Sequence, residues 1–274
     1  MVKKMNFLFL IFCFCLVTNR VQSQTGETVY NFLNLGYSPR VSALGGINVS
    51  SSGMSPDIVH YNPAFLTSFN DKAIQLSYVN YYAGINYGNA TYITSGPGNS
   101  SMAIGILFLN YGTFTAADPI GNITGEFRAS EYAFNIGWGK EITEKISAGF
   151  NFKPILSHLE EYTSFGLAVD IGTAYRSSDS LFTAGVTLRN AGFQITKYAG
   201  DEDAKLPFEI TLGGSMRLAH APFRFSMSAT HLETYDLIGR YDSNAEEIIN
   251  TNLFTENILR QLVFGVEFIP SEKF

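Results

Sequence analysis

Four histidines, His60, His158, His220 and His231, are the first residues to test for chemistry. None stands at metal-ligand spacing from another, and no His-Glu-x-x-His pattern occurs. There is no Gly-x-Ser-x-Gly elbow. No lysine follows a serine by three residues, which removes the Ser-x-x-Lys acyltransferases. No glycine loop of phosphate-cradling type appears either. Cys13 and Cys15 both fall in an opening segment that reads as removable. The processed chain would then hold no thiol for a nucleophile, a thiolate metal site or a disulfide. No catalytic residue, cofactor or metal is expected. His158 and His231, near strand ends, would suit an outer-membrane lipase, but isolated surface histidines are the simpler account. What remains is charge in an unusual setting. Asp170, Glu209, Arg217, Arg224 and Glu267 stand in alternating stretches, opposite the large apolar side chains. Charges of this kind line a lumen, where they pair with one another, pair with a plug, or tune a channel.

The elements that would position them begin after a signal. Lys3 and Lys4 precede an apolar run from Phe7 to Val17, and Val21-Gln22-Ser23 offers a cleavage site, so residues 1–23 read as a secretory signal peptide. Its apolar run is too short to span a bilayer. Phe12 and Phe14, just before the two cysteines, argue against a lipoprotein signal. Beyond it no stretch has the length of a membrane helix. Aromatic residues nevertheless reach 14% and charged residues only 15%, against about 25% charged in ordinary soluble domains. The net charge of −6 argues against nucleic acid as a partner. An exported, aromatic-rich, charge-poor chain without membrane helices fits an all-β, transmembrane antiparallel barrel in an outer membrane, with lipid as its surroundings.

From residue 73 onward the hydrophobic period is two. Phe208, Ile210, Leu212, Met216 and Leu218 oppose Glu209, Thr211, Gly213, Ser215 and Arg217. Phe223, Phe225, Met227 and Ala229 oppose Arg224, Ser226, Ser228 and Thr230. The same alternation marks strands at 73–81, 84–95, 100–111, 127–140, 145–157, 163–176, 180–190, 207–218, 222–235 and 258–269. Most are long enough for a tilted crossing of the hydrocarbon layer. The face opposite the apolar one is mostly Gly, Ser, Thr and Asn, which suits a lumen better than a soluble surface. Short connections at 96–99, 142–144, 177–179 and 219–221 alternate with longer ones at 112–126, 158–162, 191–206 and 236–257. That pattern places the short turns in the periplasm and the longer loops at the cell surface. Tyrosines near strand ends, such as Tyr78, Tyr82, Tyr111 and Tyr162, suit interfacial girdles or ordinary turn packing.

Residues 24–72 break this period. Gly45-Gly46 permits positive φ or close backbone approach, and Asn62-Pro63 marks a fixed turn. Ser55-Pro56-Asp57 reads as a helix start with Ser55 as N-cap. The segment would be either a plug inside the barrel formed by 73–274 or a surface loop ahead of it; the residues alone leave both open.

Ala43-Leu44-Gly45-Gly46 followed by Tyr61-Asn62-Pro63-Ala64 resembles the N-terminal region of the FadL-like outer-membrane barrels. Residues 27–35, 79–88, 206–210 and 218–225 resemble the PorQ branch of that superfamily, and the likeness covers about the whole processed chain. The resemblance implies an N-terminal plug carrying Gly45, Gly46, Asn62 and Pro63. It implies a non-enzymatic part in the type IX secretion system of Bacteroidetes, assisting cargo export beside other secretion components. The alternative it allows is a FadL-type channel for small hydrophobic molecules, which needs an apolar pocket by the plug and an opening in the wall. It also implies about fourteen strands, so a chain of ten ending at Phe274 is expected to be truncated, lacking its last hairpins and leaving a seam.

Overall fold

The computed structural model describes residues 28–50, 56–68, 72–198, 204–234 and 258–270. The signal peptide, the Ser55 cap and the expected surface loop 236–257 lie outside the described residues. Ten strands form one sheet in chain order, each antiparallel to the next. They are β1 (Ala73–Asn80), β2 (Asn86–Gly96), β3 (Ser100–Ala117), β4 (Ile123–Thr143), β5 (Ile146–Leu159), β6 (Tyr162–Arg176), β7 (Phe182–Thr196), β8 (Glu209–Arg217), β9 (Phe223–Ala229) and β10 (Leu262–Phe268).

The period-two pattern sorts the faces as the residues require. Phe182, Val186, Leu212, Phe225 and Met227 are exposed on the outer face, whereas Thr183, Thr187, Thr211 and Ser215 are buried on the inner one. An apolar exterior over a polar interior inverts the arrangement of a soluble barrel and is stable only against hydrocarbon.

Three expectations need correction. The stretch 112–126 is not a loop: β3 and β4 continue as a two-stranded ribbon past a register shift between Asn110 and Thr113. The ribbon persists because Phe114 and Phe127 stack at 5.2 Å and the tip closes in a tight turn. There Asp118 Oδ1 accepts from the backbone N–H of Ile120 (3.1 Å) and Asn122 (2.8 Å). The Asn122 side chain also donates to Asp118, and these donors hold its carboxyl below the usual range. The connection at 158–162 shrinks to a two-residue hairpin turn, with Glu160 at φ 58°. Residues 258–261 take a helical turn, so the last strand starts at Leu262. The long connections are therefore those after β7 and β9.

No ladder joins β1 to β10 among the described residues. Their outward side chains are strongly exposed, with Leu76 at 75% and Phe264 at 68%.

The segment before the sheet folds against its inner face. A single-turn helix, α1 (Pro39–Ala43), is capped by Ser38, whose Oγ accepts from the Val41 N–H. It ends in Gly45 and Gly46 at φ 98° and 88°, and the Gly46 N–H returns to the Val41 carbonyl. Two 3-10 turns follow, Pro56–His60 and Pro63–Ser68. Ile58, Val59, Ala64, Phe65 and Leu66 are buried with Ile93 and Ala103 of the wall. The plug reading, not the surface loop, is the correct one.

Candidate functional site

The inner space has three levels. At the short-turn end the Pro63–Ser68 turn lies directly on the wall, which is possible because the wall is glycine there. A Cβ at Gly149 would sit 2.4 Å from the Pro63 carbonyl oxygen, and one at Gly172 would sit 2.2 Å from Asn62 Oδ1. Asn62 is the joint of this level. Its Nδ2 donates to the Val49 carbonyl at 2.8 Å and the Thr173 carbonyl at 3.1 Å, and its Oδ1 accepts from the Ala64 N–H at 3.0 Å. Asn62→Ala would remove a donor from the Val49 and Thr173 carbonyls and an acceptor from the Ala64 N–H. It is expected to loosen the plug by about 1–3 kcal/mol, read as faster proteolysis within residues 56–68 while the strands stay protected.

The middle level is ionic. Lys153 Nζ meets Asp170 Oδ2 at 2.5 Å and donates to Asn190 Oδ1 at 3.0 Å. Asp170 Oδ1 accepts from the Asn190 N–H at 2.8 Å. That contact sits in a bulge of β7, where the register slips by one residue between Val169 and Ile171 and Asn190 takes φ 55°. Arg189 pairs with Glu209 at 3.3 Å, donates to the Leu33 carbonyl at 3.4 Å and stands 5.6 Å from the Tyr61 ring centroid. Asn190 Nδ2 donates to Asn34 Oδ1 and the Pro207 carbonyl. Two cations and two anions are thus matched, and they tie the lead segment to β5, β6, β7 and β8. His60 lies within the plug, its Nε2 2.8 Å from Thr91 Oγ1 and 3.1 Å from Asn89 Nδ2, as a structural histidine.

The level toward the long connections is apolar. Tyr87, Leu107, Leu109, Ala133, Ile155 and Ala168 line the wall, and Tyr30, Phe32, Leu33 and Tyr37 of the lead segment fill the space between them. A cavity of only about 10 Å³ remains beside Leu33, Tyr37 and Leu107. Among the described residues the wall is interrupted at this height. The β7–β8 ladder stops at Arg189–Glu209, while β7 runs on to Thr196 paired only with β6 among the described residues. The notch beside this free edge is about 580 Å³, lined by Gly192, Phe193, Gln194, Leu206 and Phe208 with Lys197 and Lys205 at its rim. The lead passes alongside, since Thr28 bridges Lys205.

Of the charges singled out from the sequence, Asp170 and Glu209 belong to the middle level. Glu267 and Arg224 meet at 3.3 Å at the short-turn end, where Arg40 of α1 joins them at 2.6 Å. Arg217 shares their face by parity but is exposed at the end of β8. Sequence reasoning missed Lys153, Glu131 and Arg40. Lys153 had a signal, since Asn151 and Lys153 alternate with Phe150 and Phe152. Glu131 accepts from Tyr111 at 2.7 Å and Ser157 at 2.9 Å, so Tyr111 turns inward and is no girdle residue. Nothing local marked Arg40. Among the described residues no three His, Cys, Asp or Glu side chains gather in a metal-binding arrangement.

An apolar-faced antiparallel sheet around a polar interior, with the N-terminal segment folded against its inner face, has the architecture of a transmembrane β-barrel. The sequence matches no protein-family model and no curated protein. In three dimensions the chain is similar to the toluene transporter TbuX of Ralstonia pickettii, with a TM-score of 0.52 and 12% identity over 74% of this chain and 72% of that one. It is also similar to the monoaromatic hydrocarbon channel CymD, with a TM-score of 0.50 and 12% identity over 74% of this chain and 69% of that one. At this identity the likeness is one of fold. It accords with a transmembrane β-barrel fold.

Proposed function

We propose that this chain is an outer-membrane channel for small hydrophobic molecules, admitted from the long-connection end and released sideways through the break between β7 and β8. The observation that carries this reading is the break itself. It opens beside the apolar level of the interior, on the side away from the Pro63–Ser68 turn that blocks the short-turn end. The lead residues Tyr30, Phe32 and Leu33 occupy the space a guest would take, so passage requires them to yield. Because the processed chain has no cysteine of its own, Phe193→Cys places a single thiol at the notch. Coupling a bulky maleimide there should cut uptake of a hydrophobic nutrient about tenfold, while the same label at Leu212→Cys, on the unbroken wall, leaves it unchanged. Equal uptake in both labelled proteins rejects the lateral route.

A second reading follows the resemblance to the PorQ branch: a barrel that assists type IX secretion by presenting surfaces. The filled interior favours it, since a cavity of about 10 Å³ holds no more than one water. Deleting the gene separates the two. Cargo bearing the type IX signal, trapped in the periplasm with normal nutrient uptake, supports the second reading. Normal export with lost uptake supports the first.

A further inference from the structure

Where the ionic level meets the apolar one, three buried polar atoms lack partners. Among the described residues, Tyr37 Oη, Asn135 Oδ1 and Arg189 Nε make no hydrogen bond. Tyr37, Asn135 and Arg189 are only 4%, 4% and 6% exposed. They come from the lead segment, β4 and β7, and all three line the cavity of about 10 Å³ beside Leu33 and Leu107. Ring contacts hold them in place. Tyr37 meets His60 edge-on at 5.2 Å and stacks on Tyr61 at 6.2 Å, and Arg189 stands over that same Tyr61 ring. The Arg189 Nη1 donates to Glu209 and its Nη2 to the Leu33 carbonyl, which leaves Nε as the donor still to be used. A buried polar group without a partner forfeits its hydration with no return, so three around one cavity call for a shared partner. The cavity selects it. A volume of about 10 Å³ is the least that admits a water. Arg189 and Lys153 both line the space, which opposes a cation, and both already face carboxylates. Asn135 Oδ1 opposes an anion. A water serves all three atoms: it accepts from Arg189 Nε, donates to Asn135 Oδ1, and gives or takes a bond with the Tyr37 hydroxyl. Three bonds are the usual complement of a buried water.

We propose that this cavity is the binding site of one structural water, which locks Tyr37 of the lead to β4 and β7. The site does not depend on what the interior passes, and it stands or falls separately from the lateral route. The test uses the full chain folded in detergent. A crystal structure sharp enough to show ordered waters should hold one density peak within hydrogen-bond distance of Tyr37 Oη, Asn135 Oδ1 and Arg189 Nε. Soaks in rubidium and in bromide should place no anomalous signal there. Tyr37→Phe removes only the hydroxyl and keeps the ring contacts, so the fold is retained. It should speed proteolytic cleavage of the lead about tenfold, as should Asn135→Leu. Two side chains that bind the same water are coupled, so the double variant should fall well short of the hundredfold product of the two. A cavity without density, an ion in place of the water, a Tyr37→Phe rate equal to that of the unaltered protein, or effects that simply multiply would each overturn the site.

Discussion

Asp170→Ala is expected to cost about 3–5 kcal/mol of folding stability, the range for breaking a buried ion pair by removing one partner. Asp170 is fully buried and Lys153 nearly so. The carboxylate takes the Lys153 ammonium at 2.5 Å, the Asn190 N–H at 2.8 Å and Asn151 Nδ2 at 3.4 Å. Its loss leaves an ammonium without its counter-charge in a level that also holds Arg189, and it leaves the bulge N–H of Asn190 without an acceptor. Urea unfolding of protein refolded in detergent micelles reads the effect as a lower midpoint. Adding Lys153→Met should restore most of the loss, because the double variant no longer buries a lone charge. A cost below about 1 kcal/mol for Asp170→Ala would mean that water reaches this level and screens the pair. The bulge should respond as well. Asn190 holds Asn34 of the lead and the Pro207 carbonyl beside the wall break, so the variant is also expected to increase proteolysis of the lead.

The strands were legible because they obey one local rule. Phe208, Ile210 and Leu212 against Glu209, Thr211 and Gly213 can be satisfied in only one way when one face meets hydrocarbon and the other a polar interior. The rule has no means of announcing where pairing stops. Arg189 and Glu209 were both visible as inward charges, but their meeting marks the last rung of the β7–β8 ladder. That follows from the Asn190 bulge, which needs Asp170 on the preceding strand to hold it. A bulge held by a partner twenty residues away in sequence leaves no local trace. The loop assigned to 112–126 failed for a related reason: turn residues such as Gly112, Pro119 and Gly121 are spread across it, but only the last group forms a turn. In the plug, Gly45, Gly46, Asn62 and Pro63 were legible as special backbone positions. Their targets, the glycines at 149 and 172 and the Thr173 carbonyl, were not, because close approach between segments a hundred residues apart is a property of the folded pair. Arg40 shows the limit. One arginine after a proline carries no message until Glu267 is placed against it.

The outer face gives the other large expected effect. Leu212 projects from the middle of β8, beside Val186 of β7 in register, and Met216 projects from the same face four residues nearer the short-turn end. Four residues along a strand are about 13 Å, enough to move from the hydrocarbon midplane toward an interface. Leu212→Arg should therefore cost about 2–4 kcal/mol in lipid, and Met216→Arg about 0–1 kcal/mol. Thr211→Val, on the inner face beside Leu212, tests a different force. Its hydroxyl donates to Glu209 Oε1 at 2.8 Å, so its loss should cost about 1–3 kcal/mol with or without lipid. The measurement is the unfolding midpoint of each variant in vesicles and in detergent. A depth gradient between Leu212 and Met216 that appears only in vesicles places this face in the bilayer. Equal, small costs at both positions would mean that hydrocarbon is not what this face meets, and the inverted sorting of apolar and polar residues would need another cause.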